Sequence, residues 1–125
     1  MMVKRSPWSC VAGANAFVTK LNAMGTGLLY STCIGAPNVS GMPNERGADV
    51  AVDSFGNAYV LGQTTSGNAS TEPGSFPTTA GAFQEGCQIP TVASGLLCSQ
   101  DLFVVKLPPD GASATYATLL GGSAA

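Results

Sequence analysis

Histidine is absent from this 125-residue chain, and so are several motifs that mark enzymes. Without an imidazole, Ser-His-Asp and Cys-His catalysis and the common zinc sites are excluded. The sequence also contains no GxSxG motif, no Walker loop and no GxGxxG motif between a strand and a helix. Any catalysis would depend on the seven carboxylates. The sequence therefore favours a protein that is not an enzyme and uses no metal or other cofactor.

Charged residues are also scarce, at 10% of the chain against about a quarter in an average soluble protein. The five basic residues are scattered and the net charge is −2, which gives no electrostatic basis for binding nucleic acid. No apolar run approaches the roughly 20 residues of a membrane-spanning helix, so no membrane partner is expected. Ser6, Pro7 and Ser9 interrupt the apolar core that a signal peptide needs, so we expect no signal peptide in this chain.

The chain contains an internal repeat with an offset of 86 residues. Residues 15–35 return as residues 101–121, and the two copies share eight of 21 positions without a gap. The shared positions are Phe17/Phe103, Val18/Val104, Lys20/Lys106, Leu21/Leu107, Gly25/Gly111, Tyr30/Tyr116, Thr32/Thr118 and Gly35/Gly121. Such repetition is typical of proteins that stack similar structural units.

Short β-branched and aromatic segments separated by turns predict antiparallel strands. In the first repeat the predicted strands are 16–21, 28–34, 48–52 and 58–62, with turns at 22–25 and 53–57. The second repeat has the first two strands again, joined by a turn at 108–111. Each full repeat is thus a unit of four antiparallel strands. The strands are densely apolar, which predicts sheets covered on both faces, and we expect no helix of ten or more residues.

The order of these segments resembles the SBBP repeat, a seven-bladed β-propeller repeat of bacterial, mostly exported proteins. The resemblance rests on NAFVTKL, YSTCIG, VAVDSFGNAYVLG and FPTTAGAFQ in the first repeat and on DLFVVKL and YATLLGG in the second. These segments span residues 15–84 and 101–123, and Cys33 stands where the family usually has an aromatic residue. The resemblance implies an all-β fold of antiparallel four-stranded propeller-type blades and an extracellular or periplasmic location.

The repeat divides the chain into three parts. We expect an irregular arm at 1–14, a first repeat at 15–100 with insertions at 36–47, 67–75 and 87–98, and the first half of a second repeat at 101–125. Six strands cannot close a propeller, which needs about four blades or more. Either the chain is a fragment of a longer protein, or the incomplete blades are completed by oligomerisation.

The four cysteines have different interpretations. Cys87 and Cys98 bracket a ten-residue segment, which favours a disulfide at its base over two free thiols. Cys33 lies inside an apolar strand and is interpreted as a small buried hydrophobic residue. Cys10 has either lost its partner or finds one in another chain.

Three other groups have both a structural and a functional interpretation. Trp8 is a candidate interface anchor, or it covers an open sheet edge. Asp49 and Asp53 lie near a glycine, but the loop lacks the third oxygen ligand and the distal Glu of a calcium loop, so a hairpin turn is favoured over a metal site. The aromatic residues at repeat positions are favoured as core residues over a sugar-stacking platform: Phe17, Tyr30, Tyr59, Phe103 and Tyr116.

These observations favour a non-catalytic β-propeller repeat scaffold that self-assembles into a homo-oligomer, with its loops or a central axis available to a ligand. One alternative is an extracellular module that binds carbohydrate or protein. Another is a carboxylate-dependent hydrolase, which would need two acids converging in a cleft.

Overall fold

The computed structural model describes residues 14–36, 44–65, 76–87 and 100–122. These residues form six strands and no helix: β1 (Ala16–Leu21), β2 (Leu28–Ile34), β3 (Glu45–Val52), β4 (Ala58–Thr64), β5 (Asp101–Leu107) and β6 (Tyr116–Leu120). The strands pair antiparallel in two sheets, a β1–β2 hairpin and a four-stranded sheet in the order β3-β4-β5-β6. The fold is all-β, and no helix in the described part of the chain could span a membrane.

Tight turns close the three hairpins where the sequence supplies glycine. In the β3–β4 turn, the Gly56 N–H donates to the Asp53 carbonyl at 3.0 Å, and the φ of Gly56 is 85°. In the β5–β6 turn, the Gly111 N–H donates to the Pro108 carbonyl at 2.9 Å, and the φ of Gly111 is 62°. Glycine adopts such positive φ values without the steric cost that a Cβ imposes. The turns predicted at 22–25, 53–57 and 108–111 are confirmed.

The predicted bounds of β1 and β2 are confirmed, whereas β3 and β4 are longer than predicted. β3 begins at Glu45 rather than at residue 48, and β4 ends at Thr64 rather than at residue 62. Glu45 is polar but buried, and the Thr64 hydroxyl donates to its Oε1 at 3.0 Å. This buried bond extends the β3–β4 pairing into residues 45–47, which were predicted as part of a loop because they are polar.

The four-stranded sheet is out of phase with the sequence repeat. Two of its strands, β3 and β4, come from the first repeat, and β5 and β6 come from the second. β4 pairs with β5 along its whole length, from Ala58 opposite Leu107 to Thr64 opposite Asp101. The expectation that one repeat forms one four-stranded unit is therefore wrong. The sheet combines the second half of the first repeat with the first half of the second. The boundary at residue 100 separates sequence repeats, and the sheet crosses it.

A segment between β4 and β5, still within the first repeat, lies along the outer edge of β6. The Leu119 N–H donates to the Gln84 carbonyl at 3.0 Å, and the Thr79 N–H donates to the Ala117 carbonyl at 3.0 Å. The Gln84 side-chain oxygen also accepts the Gly121 N–H at 3.0 Å. This segment, residues 76–87, thereby satisfies backbone groups that an open sheet edge would leave unpaired.

One hydrophobic core joins the hairpin to the four-stranded sheet. It consists of Ala16, Tyr30, Ile34, Ala58, Val60, Phe76, Phe103, Val105, Leu107, Ala117 and Leu119. The Thr32 hydroxyl donates to the Gly111 carbonyl at 3.0 Å across this contact, and the Tyr30 ring covers Gly111. The prediction of sheets covered on both faces is wrong for β3, because every residue of that edge strand after Glu45 is exposed.

Candidate functional site

Alternating side chains give each repeat hairpin two faces, because residues directly opposite in an antiparallel pair share a face. We name as the front face the residues Ala16, Val18, Lys20, Tyr30, Thr32 and Ile34 and their equivalents Leu102, Val104, Lys106, Tyr116, Thr118 and Leu120. The rear face consists of Phe17, Thr19, Leu21, Ser31 and Cys33 and their equivalents Phe103, Val105, Leu107, Ala117 and Leu119.

The front face of the first hairpin packs on the rear face of the second. Tyr30 and Ile34 are buried on the front side of this contact, and Phe103 and Leu107 are buried on the rear side. Phe103 also stacks on Phe76, with the ring centroids 4.7 Å apart. The chain therefore contains one complete example of front-to-rear packing between two hairpins of similar sequence.

The two faces that remain are open and partly apolar. On the rear face of the first hairpin, Phe17 is 74% and Leu21 is 53% exposed, whereas their equivalents Phe103 and Leu107 are 0% exposed. On the front face of the second hairpin, Leu120 is 38% exposed, whereas its equivalent Ile34 is 0% exposed. Each type of face is therefore covered in one repeat and uncovered in the other.

The aromatic residues predicted as core do not all lie there. Tyr30 and Phe103 are buried, as predicted, and Tyr59 and Tyr116 are half-buried. The prediction for Phe17 is wrong, because Phe17 is 74% exposed and no strand in the described part of the chain packs on the rear face of the first hairpin. No motif in the sequence marks Leu120 as a surface residue of interest. Alternation along the aligned repeats assigns Leu120 to the front face. It does not show whether that face is covered.

A groove of about 650 Å³ separates β1 from β3. The two strands begin side by side, since the Glu45 N–H donates to the Ala14 carbonyl at 2.8 Å. From there the groove is lined by residues 15–19 of β1 and its approach, residues 45–50 of β3, and Val60 of β4. Among the described strands β1 pairs only with β2 and β3 pairs only with β4, so the groove lies between two edge strands.

Asn15 and Asp101 occupy equivalent positions at the start of β1 and β5. Each side chain lies against a glycine, Gly35 or Gly121, so closely that a Cβ on that glycine would overlap it. Asp101 is 4% exposed, and its Oδ2 has no hydrogen-bond partner in the described part of the chain. Burial raises the pKa of the Asp101 carboxyl group.

Asp53 organises the β3–β4 turn. Its carboxylate accepts hydrogen bonds from the backbone N–H groups of Phe55 and Asn57, from the Asn57 amide at 2.9 Å and from the Tyr59 hydroxyl at 3.1 Å. These bonds, led by that of the Asn57 side chain, lower the pKa of Asp53. The Asp49 carboxylate accepts the Val50 N–H at 2.8 Å. The hairpin-turn interpretation is confirmed. Within the described ranges, no three His, Cys, Asp or Glu side chains gather where they could hold a metal ion.

Both cysteines in the described part of the chain, Cys33 and Cys87, are disulfide-bonded. The interpretation of Cys33 as a buried hydrophobic thiol is therefore wrong, and its side chain is half-buried on the rear face of β2. The pairing of Cys87 with Cys98 stays a prediction, because Cys98 lies outside the described residues, as do Cys10 and the candidate interface anchor Trp8.

Comparison with known protein families finds a match for one segment of the first repeat. Residues 46–68, which include most of β3 and all of β4, match the SBBP family, a beta-propeller repeat. This match confirms the resemblance inferred from the sequence, and it agrees with the antiparallel all-β fold. Neither a curated protein nor a solved structure matches the chain.

Proposed function

We propose that the chain is a non-catalytic scaffold of propeller repeats that self-assembles by stacking copies head to tail. In this arrangement the front face of one copy's second hairpin packs on the rear face of the next copy's first hairpin. The observation that carries the proposal is the contrast between Phe17 and Phe103, which are equivalent in sequence but 74% and 0% exposed.

The two open faces fit each other because the chain already packs the same pair of faces internally. Full burial of a Leu or Phe side chain contributes about 1.5–3 kcal/mol, so covering Phe17, Leu21 and Leu120 favours association. A front-to-rear contact joins two different surfaces. Such contacts build a closed ring when the rotation between copies closes, and a filament when it does not.

Three of the six described carboxylates have structural roles, which supports a non-catalytic scaffold. Asp53 holds a turn, Glu45 accepts a buried bond from Thr64, and Asp101 is enclosed beside Gly121. Each of these groups is thus explained by folding. Binding of a carbohydrate or protein ligand at the loops or at the axis of the assembly, and an extracellular or periplasmic location, extend the same proposal from the family resemblance.

The test is the mass of the purified chain by light scattering over a concentration series. We expect a discrete oligomer for the unmodified chain and a monomer near 12.5 kDa for Phe17→Asp and for Leu120→Asp. An equimolar mixture of the two variants should give a heterodimer, because each variant keeps one intact face. Phe83→Asp is the control, since Phe83 is 86% exposed but lies outside the six strands.

Three results would contradict the proposal. If the unmodified chain stays monomeric at every concentration, it does not self-assemble. Variants of Phe17 and Leu120 that keep the oligomeric mass show that assembly uses other surfaces. Two monomeric variants that fail to combine show that the contact is not front-to-rear.

A further inference from the structure

The open edge of β1 is a second surface, which borders the rear stacking face at Phe17. We infer that the groove beside it binds an extended polypeptide strand that pairs antiparallel with β1 and carries a tyrosine three residues before a glycine. This inference goes beyond the proposed stacking, because it concerns the backbone edge of β1 and the space between β1 and β3.

The second repeat shows what occupies the equivalent edge. There β4 pairs with β5 without a register shift, from Ala58 opposite Leu107 to Thr64 opposite Asp101. β1 pairs with β2 in the same register as β5 pairs with β6, since Phe17 lies opposite Cys33 and Phe103 lies opposite Leu119. β1 therefore presents the same backbone edge as β5, and no described strand pairs with it beyond the single parallel bridge between Ala14 and Asn44 at its start.

The glycine requirement follows from the position of Phe103. Its ring lies over Gly62, the residue opposite it on β4, and a Cβ on Gly62 would overlap both that ring and the Arg46 carbonyl. Phe17 is equivalent to Phe103. A strand that binds β1 in the register of β4 places one residue opposite Phe17, and a glycine there lets the Phe17 ring lie over it as the Phe103 ring lies over Gly62.

The tyrosine requirement follows from a lysine on the same strand. The Lys106 ammonium lies 5.2 Å from the centroid of the Tyr59 ring, and Lys106 is opposite Tyr59 in the β4–β5 pair. Lys20 is the equivalent of Lys106 on β1. A tyrosine three residues before the glycine reaches Lys20 in the same way and gains a cation–π contact.

The groove offers apolar surface as well as a backbone edge. Its lining includes Val50 and Val60, and Val50 is 52% exposed. A strand added to β1 would cover this surface while its backbone pairs with the edge, which is how extended peptides bind open sheets. The volume of about 650 Å³ provides space for the side chains that face it.

The probe is a fluorescent peptide with the sequence of residues 57–65, NAYVLGQTT, titrated into the full chain and followed by anisotropy. Saturable binding is expected. A peptide with Gly62→Val should bind about tenfold more weakly, because the added side chain overlaps the position of the Phe17 ring. A peptide with Tyr59→Ala should also bind more weakly, since it cannot contact Lys20. Equal binding of all three peptides, or no binding of any, overturns the inference.

Two variants of the chain separate this groove from the stacking faces. Val50→Asp places a charge on the groove lining, so it should abolish peptide binding and keep the oligomeric mass. Leu120→Asp should lose the oligomeric mass and still bind the peptide. If Val50→Asp binds the peptide as well as the unmodified chain, the binding is elsewhere and the inference is wrong. If the chain binds the peptide but never assembles, only the stacking proposal is lost.

Discussion

At the scale of single residues, the two repeats differ in how they fill one buried position. The first repeat has the half-buried Asn15 against Gly35, and the second has the buried Asp101 against Gly121. Burial raises the pKa of Asp101 above the ordinary value of 3.8, because desolvation penalises its charged form. The second repeat therefore buries a titratable carboxyl group where the equivalent position in the first repeat holds an amide that stays uncharged.

Replacing Asp101 with the residue of the first repeat should stabilise the chain. We expect Asp101→Asn to raise the free energy of unfolding at pH 7 by about 1–3 kcal/mol, because the neutral amide avoids the desolvation cost that burial places on a charged carboxylate. The unmodified chain gains stability as the pH falls through the raised pKa of folded Asp101 towards its unfolded value, so the advantage of the variant should shrink towards pH 4. Denaturant unfolding between pH 4 and pH 8 measures this difference.

The exposed Asp49 supplies the matched control. Asp49→Asn makes the same chemical change on the solvent side of β3 and should leave the free energy of unfolding within about 0.5 kcal/mol of the unmodified chain. A loss of stability at pH 7 for Asp101→Asn would show that the carboxylate is required where it lies.

At the scale of elements, two glycines opposite each other in the β3–β4 pair have different surroundings. Gly62 faces the Phe103 ring and the Arg46 carbonyl, whereas a Cβ on Gly47 would meet nothing within 4 Å. The close approach at Gly62 lets Phe103 fill the core between the hairpin and the sheet. One glycine is therefore required by packing, and its partner across the ladder is not.

Adding one methyl group at each glycine tests this difference. Gly62→Ala should lower the free energy of unfolding by about 1–3 kcal/mol, because the methyl group displaces the Phe103 ring or the backbone of β3. Gly47→Ala should change it by less than about 0.5 kcal/mol. Urea unfolding followed by tyrosine fluorescence gives both values, and equal effects at the two positions would refute the packing argument.

At the scale of the whole molecule, disulfides add to the hydrogen bonds and apolar contacts of the fold. Cys33 lies on strand β2 of the first hairpin, and Cys87 lies at the end of the segment 76–87, which borders the outer edge of β6. Both are disulfide-bonded. A disulfide stabilises a fold by about 2–4 kcal/mol, largely by restricting the unfolded chain.

Reduction should therefore destabilise the chain strongly. We expect dithiothreitol to lower the Tm by roughly 10 °C or more, measured by calorimetry against a sample in oxidised dithiothreitol. Alkylation of the unreduced, denatured protein followed by mass spectrometry counts free thiols. Four alkylated cysteines before reduction would contradict the disulfides.

Patterns among neighbouring residues were enough to predict most of the strands and turns. The bounds of β1 and β2 and the three turns could be predicted, because strand preference and turn geometry depend on a few adjacent residues. The turn role of Asp53 was predictable for the same reason. Glu45 was not, since its place in β3 depends on a bond to Thr64, which is 19 residues away.

The sequence by itself determined an all-β chain of repeated antiparallel strands, since alternation, turns and the 86-residue offset depend only on the order of residues along the chain. Only the tertiary structure decided which strands share a sheet and which faces are covered. β1 and β5 present the same backbone edge, so their residues cannot specify which of them β4 joins. Phe17 and Phe103 are the same residue in the same pattern, and they differ because burial depends on what packs against a face rather than on the face itself.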